Sequence, residues 1–533
     1  MSSDEIIEAL ELTSRLMELH GENPFKAKAY ATAAFKLNKM RYDFSGKSPE
    51  DIESIEGIGK GISGKITELL KHGRMSELDE LLKKTPPGLI GVLDIKGLGP
   101  KKVKQLWDEL HVESIGELLY ACNENRLVTL KGFGEKTQNQ IKKSIEFGLA
   151  NSNKFHFATI EPALQNILNA LGSAHKHLRI TWTGEVARKC EVIDKITLLT
   201  DYPLKQDDTG HFKSLPLPVQ LTSCEPAEFW YRSVELSSAP KHLEKIGFEK
   251  LTKKHFSSEE EVYQSLGLNF IPAELREGLE EVERSRSGHL PVLIEPGDLK
   301  GVLHCHSTYS DGVHTLHEMA ESCRQSGFQY FGICDHSRSA FYANGLDEKR
   351  IQDQHHEIEK LNSGYQHFRI LKGIESDILN DGSLDYSDLV LKSFDFVVAS
   401  VHSNLKMDEH KATSRLIRAI ENPFTSILGH PTGRLLLARP GYPIDHKKVI
   451  DACAANGVHI ELNAHPYRLD IDWRWIPYCI EKGVLISINP DAHHKDAIGD
   501  MRYGVYAARK GMLSKEGCLN TLNLSELIVK FGK

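Results

Sequence analysis

Residues 301–312 read GVLHCHSTYSDG. The opening Gly-Val-Leu is a short apolar run, and it ends in His304-Cys305-His306. Residues i and i+2 of an extended strand face the same side, so both imidazoles can reach one ion. The same pattern returns further along the chain. Residues 330–334 run into Asp335-His336, residues 369–374 into Glu375, and residues 394–401 into His402. Residues 426–429 then run into His430, residues 458–462 into Asn463-Ala464-His465, and residues 484–490 into Asp491-Ala492-His493.

Seven strands are thus visible, alternating with amphipathic helices over residues 300–533, which predicts a parallel α/β sheet or barrel. In such a barrel all strand C-termini meet at one rim, and that rim carries the active site. A lone histidine reads as easily as a core or surface residue. Six successive strand ends bearing ligand-competent side chains favour a metal site. Imidazoles mixed with carboxylates suit manganese, zinc or iron. His355, His356, His410 and His494 have no such placement and read as surface residues.

Outward from this region, residues 1–150 look all-helical. They carry one pattern three times, with glycines at Gly57 and Gly59, Gly97 and Gly99, and Gly132 and Gly134. Each pair brackets one apolar residue, and an apolar residue follows seven positions later, at Ile66, Leu106 and Ile141. The implied unit is helix, tight glycine hairpin, helix. Its exposed amides at a helix N-terminus suit a phosphate oxygen. Lysines trail each copy, Lys65 among them. The three copies resemble helix-hairpin-helix motifs, which bind DNA backbones without reading sequence.

Residues 155–290 are mixed. Strands are expected at 178–183, 196–200 and 217–222, and helices at 259–267 and 272–284. The segment 288–297, with two prolines and two glycines, reads as a linker.

Composition sets the frame. A chain of 533 residues predicts more than one domain. No run of 18 apolar residues spans a membrane, and the acidic N-terminus lacks the features of a signal peptide, so a cytoplasmic location is expected. The nine cysteines form no CxxC pair and read as reduced thiols. A net charge of −8 argues against gripping nucleic acid by bulk charge, but leaves DNA contact through backbone amides open.

The segments LHCHSTYSDG, ICDHS, GIESDI, ASVHS, LGHPTGR and INPDAHH resemble the PHP (polymerase and histidinol phosphatase) phosphoesterase family. The resemblance implies a distorted (β/α)7 barrel over residues 298–533 holding three divalent ions. It would assign His304, His306, Glu375 and Asp491 to one ion. Glu375, His402 and His430 would hold a second, and Asp311, His336 and His493 a third. As a loop residue, Asp311 also reads as a helix N-cap. Clustered divalent ions acidify a water nucleophile and offset charge on phosphoryl oxygens. Arg338 and Arg434 follow ligand segments and read either as phosphate clamps or as surface arginines.

The order of the whole chain resembles bacterial family X DNA polymerases. This implies a helical domain at 1–85, a fingers-like domain at 86–150, a palm and thumb at 151–290, and the PHP barrel. The palm departs from the family, which expects three aspartates. Lys195, Thr197 and Gln220 stand at those positions and cannot hold magnesium. Polymerase activity is therefore expected to be lost. Lys65 aligns with the Schiff-base lysine of related lyase domains.

The expected function is a metal-dependent DNA phosphoesterase in repair. It would process 3′ ends as a 3′-5′ exonuclease, extending to cuts at abasic sites. Its partner is DNA with gapped, primed or 3′-blocked ends, and the chain is expected to be a monomer. Two rivals stay open: a small-molecule phosphatase of the histidinol phosphate type, and a non-catalytic DNA-binding scaffold.

Overall fold

The computed structural model describes residues 1–533 except 41, 45, 124–126, 151–153, 205–207, 253, 438–439 and 533. It divides into two compact units, 1–152 and 153–533. The domain boundary expected at 150/151 falls at residues outside those described.

The first unit is helical, and its hairpins repeat one turn. Gly57, Gly97 and Gly132 have φ of 88°, 91° and 85°, a region where only glycine is unstrained. The bracketed residues Ile58, Leu98 and Phe133 are buried, and so are Ile66, Leu106 and Ile141. Each turn is closed by one backbone bond, Ile58 N to Ile55 O at 2.9 Å, Leu98 N to Ile95 O at 3.0 Å and Phe133 N to Leu130 O at 3.1 Å. The helices Lys60–His72 and Pro100–Leu110 begin at Gly59 and Gly99 with no side-chain cap. No side chain therefore satisfies the free N–H groups of their first turns, Lys60 and Gly61 in one helix and Lys101 in the other.

In the second unit, β1 (Phe155–His156) pairs antiparallel with β3 (Val192–Ile193). A three-stranded sheet has the order β2 (Ile180–Thr183), β4 (Ile196–Thr200), β5 (Val219–Ser223). The helix expected at 272–284 is broken: a 3-10 turn, Ala273–Leu275, and a helix, Glu281–Arg286, flank Gly278 at φ 74°. The reason is the Glu281 carboxylate, which turns back to accept Gly278 N and Leu279 N at 2.6 Å each. The segment expected as a free linker is also anchored. Leu293 and Ile294 are buried, and Ile294 N donates to Leu513 O at 2.9 Å.

Seven parallel strands follow: β6 (Gly301–Leu303), β7 (Tyr330–Ile333), β8 (Arg369–Asp377), β9 (Phe396–Ser400), β10 (Ile427–Leu428), β11 (His459–Asn463) and β12 (Ile486–Asn489). They are hydrogen-bonded in sequence order. A parallel bridge from Cys305 to Ala492 brings the two edges together, so the barrel is nearly closed. The strands are buried on both faces, as covered parallel strands must be. His356 and His410 are exposed as expected. His355 and His494 are half-buried instead, because their rings pack edge-on against Phe394 and His314. Among the described residues, no helix is long and apolar enough to cross a membrane.

Candidate metal centre

The strand ends converge as one-rim geometry requires. The ligand-capable atoms of His304, His306 and Asp491 lie within 4.8 Å of one another. So do those of His306, Asp311, His336 and His493, and those of His336, Glu375 and His402. His430 joins through Glu375, its Nε2 lying 3.0 Å from Oε1. All nine sequence-predicted ligand positions therefore meet at one end of the barrel. The grouping differs at two histidines. His306 joins Asp311, His336 and His493 as well as His304 and Asp491. His336 lies between two groups, its Nδ1 2.9 Å from Glu375 Oε2.

Local structure explains the placement. A Cβ at Gly312 would stand 2.7 Å from the carbonyl of His306, so the loop folds tightly and returns Asp311 to the histidines. The next helix, Leu316–Gln325, is capped by Thr315, not Asp311. Asp335 fixes the loop from below, accepting Ser307 N at 2.8 Å, Ser307 Oγ at 2.7 Å and Ser310 Oγ at 2.5 Å. His304 and Asp491 have φ of 72° and 51°, strained values for residues with a Cβ. Such strain persists only where the surroundings enforce it, and it gathers at functional sites.

Two orienting carboxylates escaped the sequence reading. His304 Nδ1 lies 2.7 Å from Glu461 Oε1, and His402 Nδ1 lies 2.6 Å from Asp377 Oδ1. A carboxylate on one ring nitrogen aims the other at an ion. The available signal was the strand period: Asp377 and Glu461 lie on strands, and Asp377 stands two residues beyond Glu375 on the same face.

Electrostatics fit this arrangement. Burial and the neighbouring His493 and His336 hold His306 down to about 3, so its ring is neutral. Burial also depresses His402, but Glu375 and Asp377 outweigh it and lift the ring to about 10. Glu375 and Asp491 lie well below the usual carboxylate range; burial opposes this, and the surrounding histidines prevail. His306 Nδ1 is buried without a hydrogen-bond partner among the described residues, and His304 Nε2 and Glu375 Oε2 face only other members of the cluster, Glu375 at 3.2 Å and His336 at 2.9 Å. Buried polar atoms are almost always satisfied. Lone pairs left over in a knot of imidazoles and carboxylates fit divalent cations.

The predicted arginines sit at the rim with their forks engaged. Arg338 pairs with Glu348 at 2.9 Å and donates to Asp385 O at 2.7 Å. Arg434 pairs with Asp472 at 2.7 Å and donates to Arg468 O at 2.9 Å. Arg468, not singled out by sequence, brings its Nε within 3.9 Å of Asp491. In the three-stranded sheet Thr197 is in register with Gln220, and Thr197 Oγ1 lies 2.7 Å from Thr183 Oγ1. Lys195 and Asp194 are exposed, with their backbone amides on Glu185. Lys65 in the helical unit is paired with Glu68 at 3.0 Å.

Comparison with known proteins finds family models for the helical unit and the barrel. A helix-hairpin-helix domain model matches residues 1–75, a SAM-like helix-hairpin-helix tandem matches 90–146, and a PHP domain matches 303–465. The protein of Bacillus subtilis named DNA polymerase/3′-5′ exonuclease PolX is 35% identical, over 99% of each chain. A probable phosphatase of Acetivibrio thermocellus is 30% identical over 37% of this chain and 80% of its own. One of Caldanaerobacter subterraneus is 31% identical over 42% and 88%.

Proposed function

This chain belongs to the PolX family and is a hydrolase of phosphoester bonds, and on that premise we propose a metal-dependent phosphoesterase that processes DNA 3′ ends in repair. The observation that carries the reading is the convergence of nine ligand-competent side chains in one buried knot of imidazoles and carboxylates. His304, His306, Asp311, His336, Glu375, His402, His430, Asp491 and His493 would hold up to three ions, of manganese, zinc or iron. Bound there, the ions would supply Lewis acidity and a water acidified for attack on phosphorus. The chain's own side chains set the rest. With an ion bound, Glu461 and Asp377 would keep the remaining proton of His304 and His402 on Nδ1 and leave Nε2 to the ion. Arg468 stands beside Asp491, where its charge can offset that of a phosphate.

The uncapped hairpin helices would hold the DNA backbone. Gapped, primed or 3′-blocked ends are the proposed substrates, with abasic-site cleavage a secondary activity, and the chain would act as a monomer. DNA synthesis is absent in this reading, since Thr197 and Gln220 occupy paired positions where metal-binding carboxylates are needed. Lys65, paired with Glu68, is assigned no lyase role in this reading.

The test compares mononucleotide release from a 3′-labelled primer with phosphate release from small phosphomonoesters, across the three metals. Loss of primer degradation and of bound metal in His306→Ala supports the proposal. Activity on small esters alone would sink the DNA reading, and fewer than two ions per chain would sink the multi-metal one.

A further inference from the structure

Beside the metal centre lies a cleft of about 570 Å³, a volume suited to a small ligand. Its walls come from the segments after β10 and β11, and include Thr432, Arg434, Tyr442, His446, Arg474 and Trp475. Both walls are tied to metal-site strand ends. Thr432 follows His430 by two residues, so their Cα atoms are at most ~7 Å apart. On the other side, the Arg468 carbonyl accepts Arg434 Nε at 2.9 Å, while the Arg468 guanidinium reaches toward Asp491. One nucleotide spans such a reach.

The lining carries three kinds of chemistry. Arg434 and Arg474 share one carboxylate, Asp472, at 2.7 and 3.0 Å, so the lining carries two guanidiniums to one carboxylate, with Asp470 behind it accepting Thr432 N at 3.0 Å. His446 and Trp475 stack at 4.6 Å and 6°, a preformed flat aromatic pair. Thr432 is 8% exposed, and its hydroxyl has no partner among the described residues. A buried hydroxyl left without a partner is unfavourable, so a ligand that reaches it gains by bonding it. Gly441 packs directly on that hydroxyl; a Cβ there would stand 2.6 Å from Thr432 Oγ1. A cation, an aromatic stack and a hydroxyl together suit a phosphate, a base and a sugar, the combination that single-strand sites use.

We propose that this cleft is a nucleoside subsite. It holds one of the two nucleotides flanking the scissile phosphate, with the base against the His446–Trp475 pair and the adjoining phosphate near Arg474. The inference rests on the DNA-end reading of the metal centre and gives it a substrate class: a strand of at least two nucleotides, in preference to a lone phosphomonoester.

The test is a binding measurement on the full chain in EDTA, so that no turnover intervenes. Oligonucleotides with a single-stranded 3′ tail carry 2-aminopurine at the terminal, penultimate or fifth position. Quenching is expected at one of the first two positions and not at the fifth. Trp475→Leu removes it, and Arg474→Ala weakens binding about tenfold. Since Trp475 is half-buried, Arg474→Ala, which alters an exposed side chain, keeps the test valid if the leucine variant misfolds. Quenching that is equal at all positions, or unchanged in both variants, overturns the subsite. A parallel assay with metal restored separates the two readings. Wild-type protein that degrades the tail without position-specific quenching refutes the cleft alone, and wild-type protein inert on DNA refutes the parent reading.

Discussion

Glu461→Gln is the most informative change at the metal centre, because it alters one atom and leaves the shape intact. The Glu461 side chain is fully buried, and every near neighbour is a donor. Oε1 receives His304 Nδ1 at 2.7 Å and Asn489 Nδ2 at 3.0 Å. Oε2 receives His430 N at 2.8 Å and Asn463 Nδ2 at 3.5 Å. An ionised carboxylate only accepts, so His304 carries its proton on Nδ1 and presents Nε2 to the site. Nε2 lies 3.2 Å from Glu375 and 3.6 Å from Asp491. Glutamine must point an NH2 at one of these donor pairs. Against His430 N, a backbone N–H, no relief exists. Against His304, relief requires the imidazole proton to move to Nε2, which removes the lone pair a cation needs.

Loss of such an orienting partner typically costs 10–100-fold in metal affinity, which is about 1.4–2.7 kcal/mol. The assay is calorimetric titration of the metal-stripped protein with Mn2+ or Zn2+, alongside release of label from a 3′-labelled primer. The tightest site should weaken by that factor, and excess metal should restore most of the rate. A folded Glu461→Gln variant with unchanged metal affinity and rate would refute the orienting role.

His306→Ala should lower bound metal, read by elemental analysis, and abolish primer degradation, since His306 belongs to two of the three ligand groups. His459 is pushed down to about 4 by burial, aided by the charge of Lys530, and neither ring nitrogen has a partner among the described residues. Its folded value lies below the unfolded one of ~6.5, so its contribution is complete above pH 6.5 and is lost as pH falls toward 4, about 3 kcal/mol in all. His459→Leu should therefore raise the melting midpoint at pH 7 and flatten its decline between pH 6.5 and 4. Lys510 is buried and donates to Glu277 at 2.6 Å and to Arg188 O at 3.0 Å. Lys510→Met should destabilise the second unit by about 3 kcal/mol, visible as a lower melting midpoint and faster proteolysis between residues 270 and 280. Gly97→Val forces a β-branched residue to φ 91°, where no steric neighbour intervenes. A strain of about 1–3 kcal/mol should distort the hairpin and weaken DNA binding in a filter assay, with metal content unchanged.

The barrel and its ligand positions were legible in the sequence because both depend on local rules. Each strand is an apolar run with a side chain at its end, and parallel topology alone sends all such ends to one rim. The hairpins were legible for the same reason, since a left-handed glycine beside a buried apolar residue leaves a local trace. The broken helix at 272–284 was not legible. Its periodicity continues through Gly278, and only the return of Glu281 to the Gly278 and Leu279 amides stops it. Nor was the anchoring of 288–297: prolines and glycines suggested a linker, and burial of Ile294 depends on the distant Leu513.

The sequence by itself thus determined that His304, His306, Glu375, His402, His430 and Asp491 would gather at one end of the barrel. That follows from a single rim; the two-residue period does not carry it, because His304 lies beyond β6 with φ 72°. Tertiary structure alone decided which carboxylate aims which imidazole, that Asp311 returns to the histidines while Thr315 caps the helix, and that Arg434 is held by Asp472 while Arg468 reaches toward Asp491. These are contacts between strand ends far apart in the chain, fixed by how loops of differing length close over a barrel, and no local pattern records them.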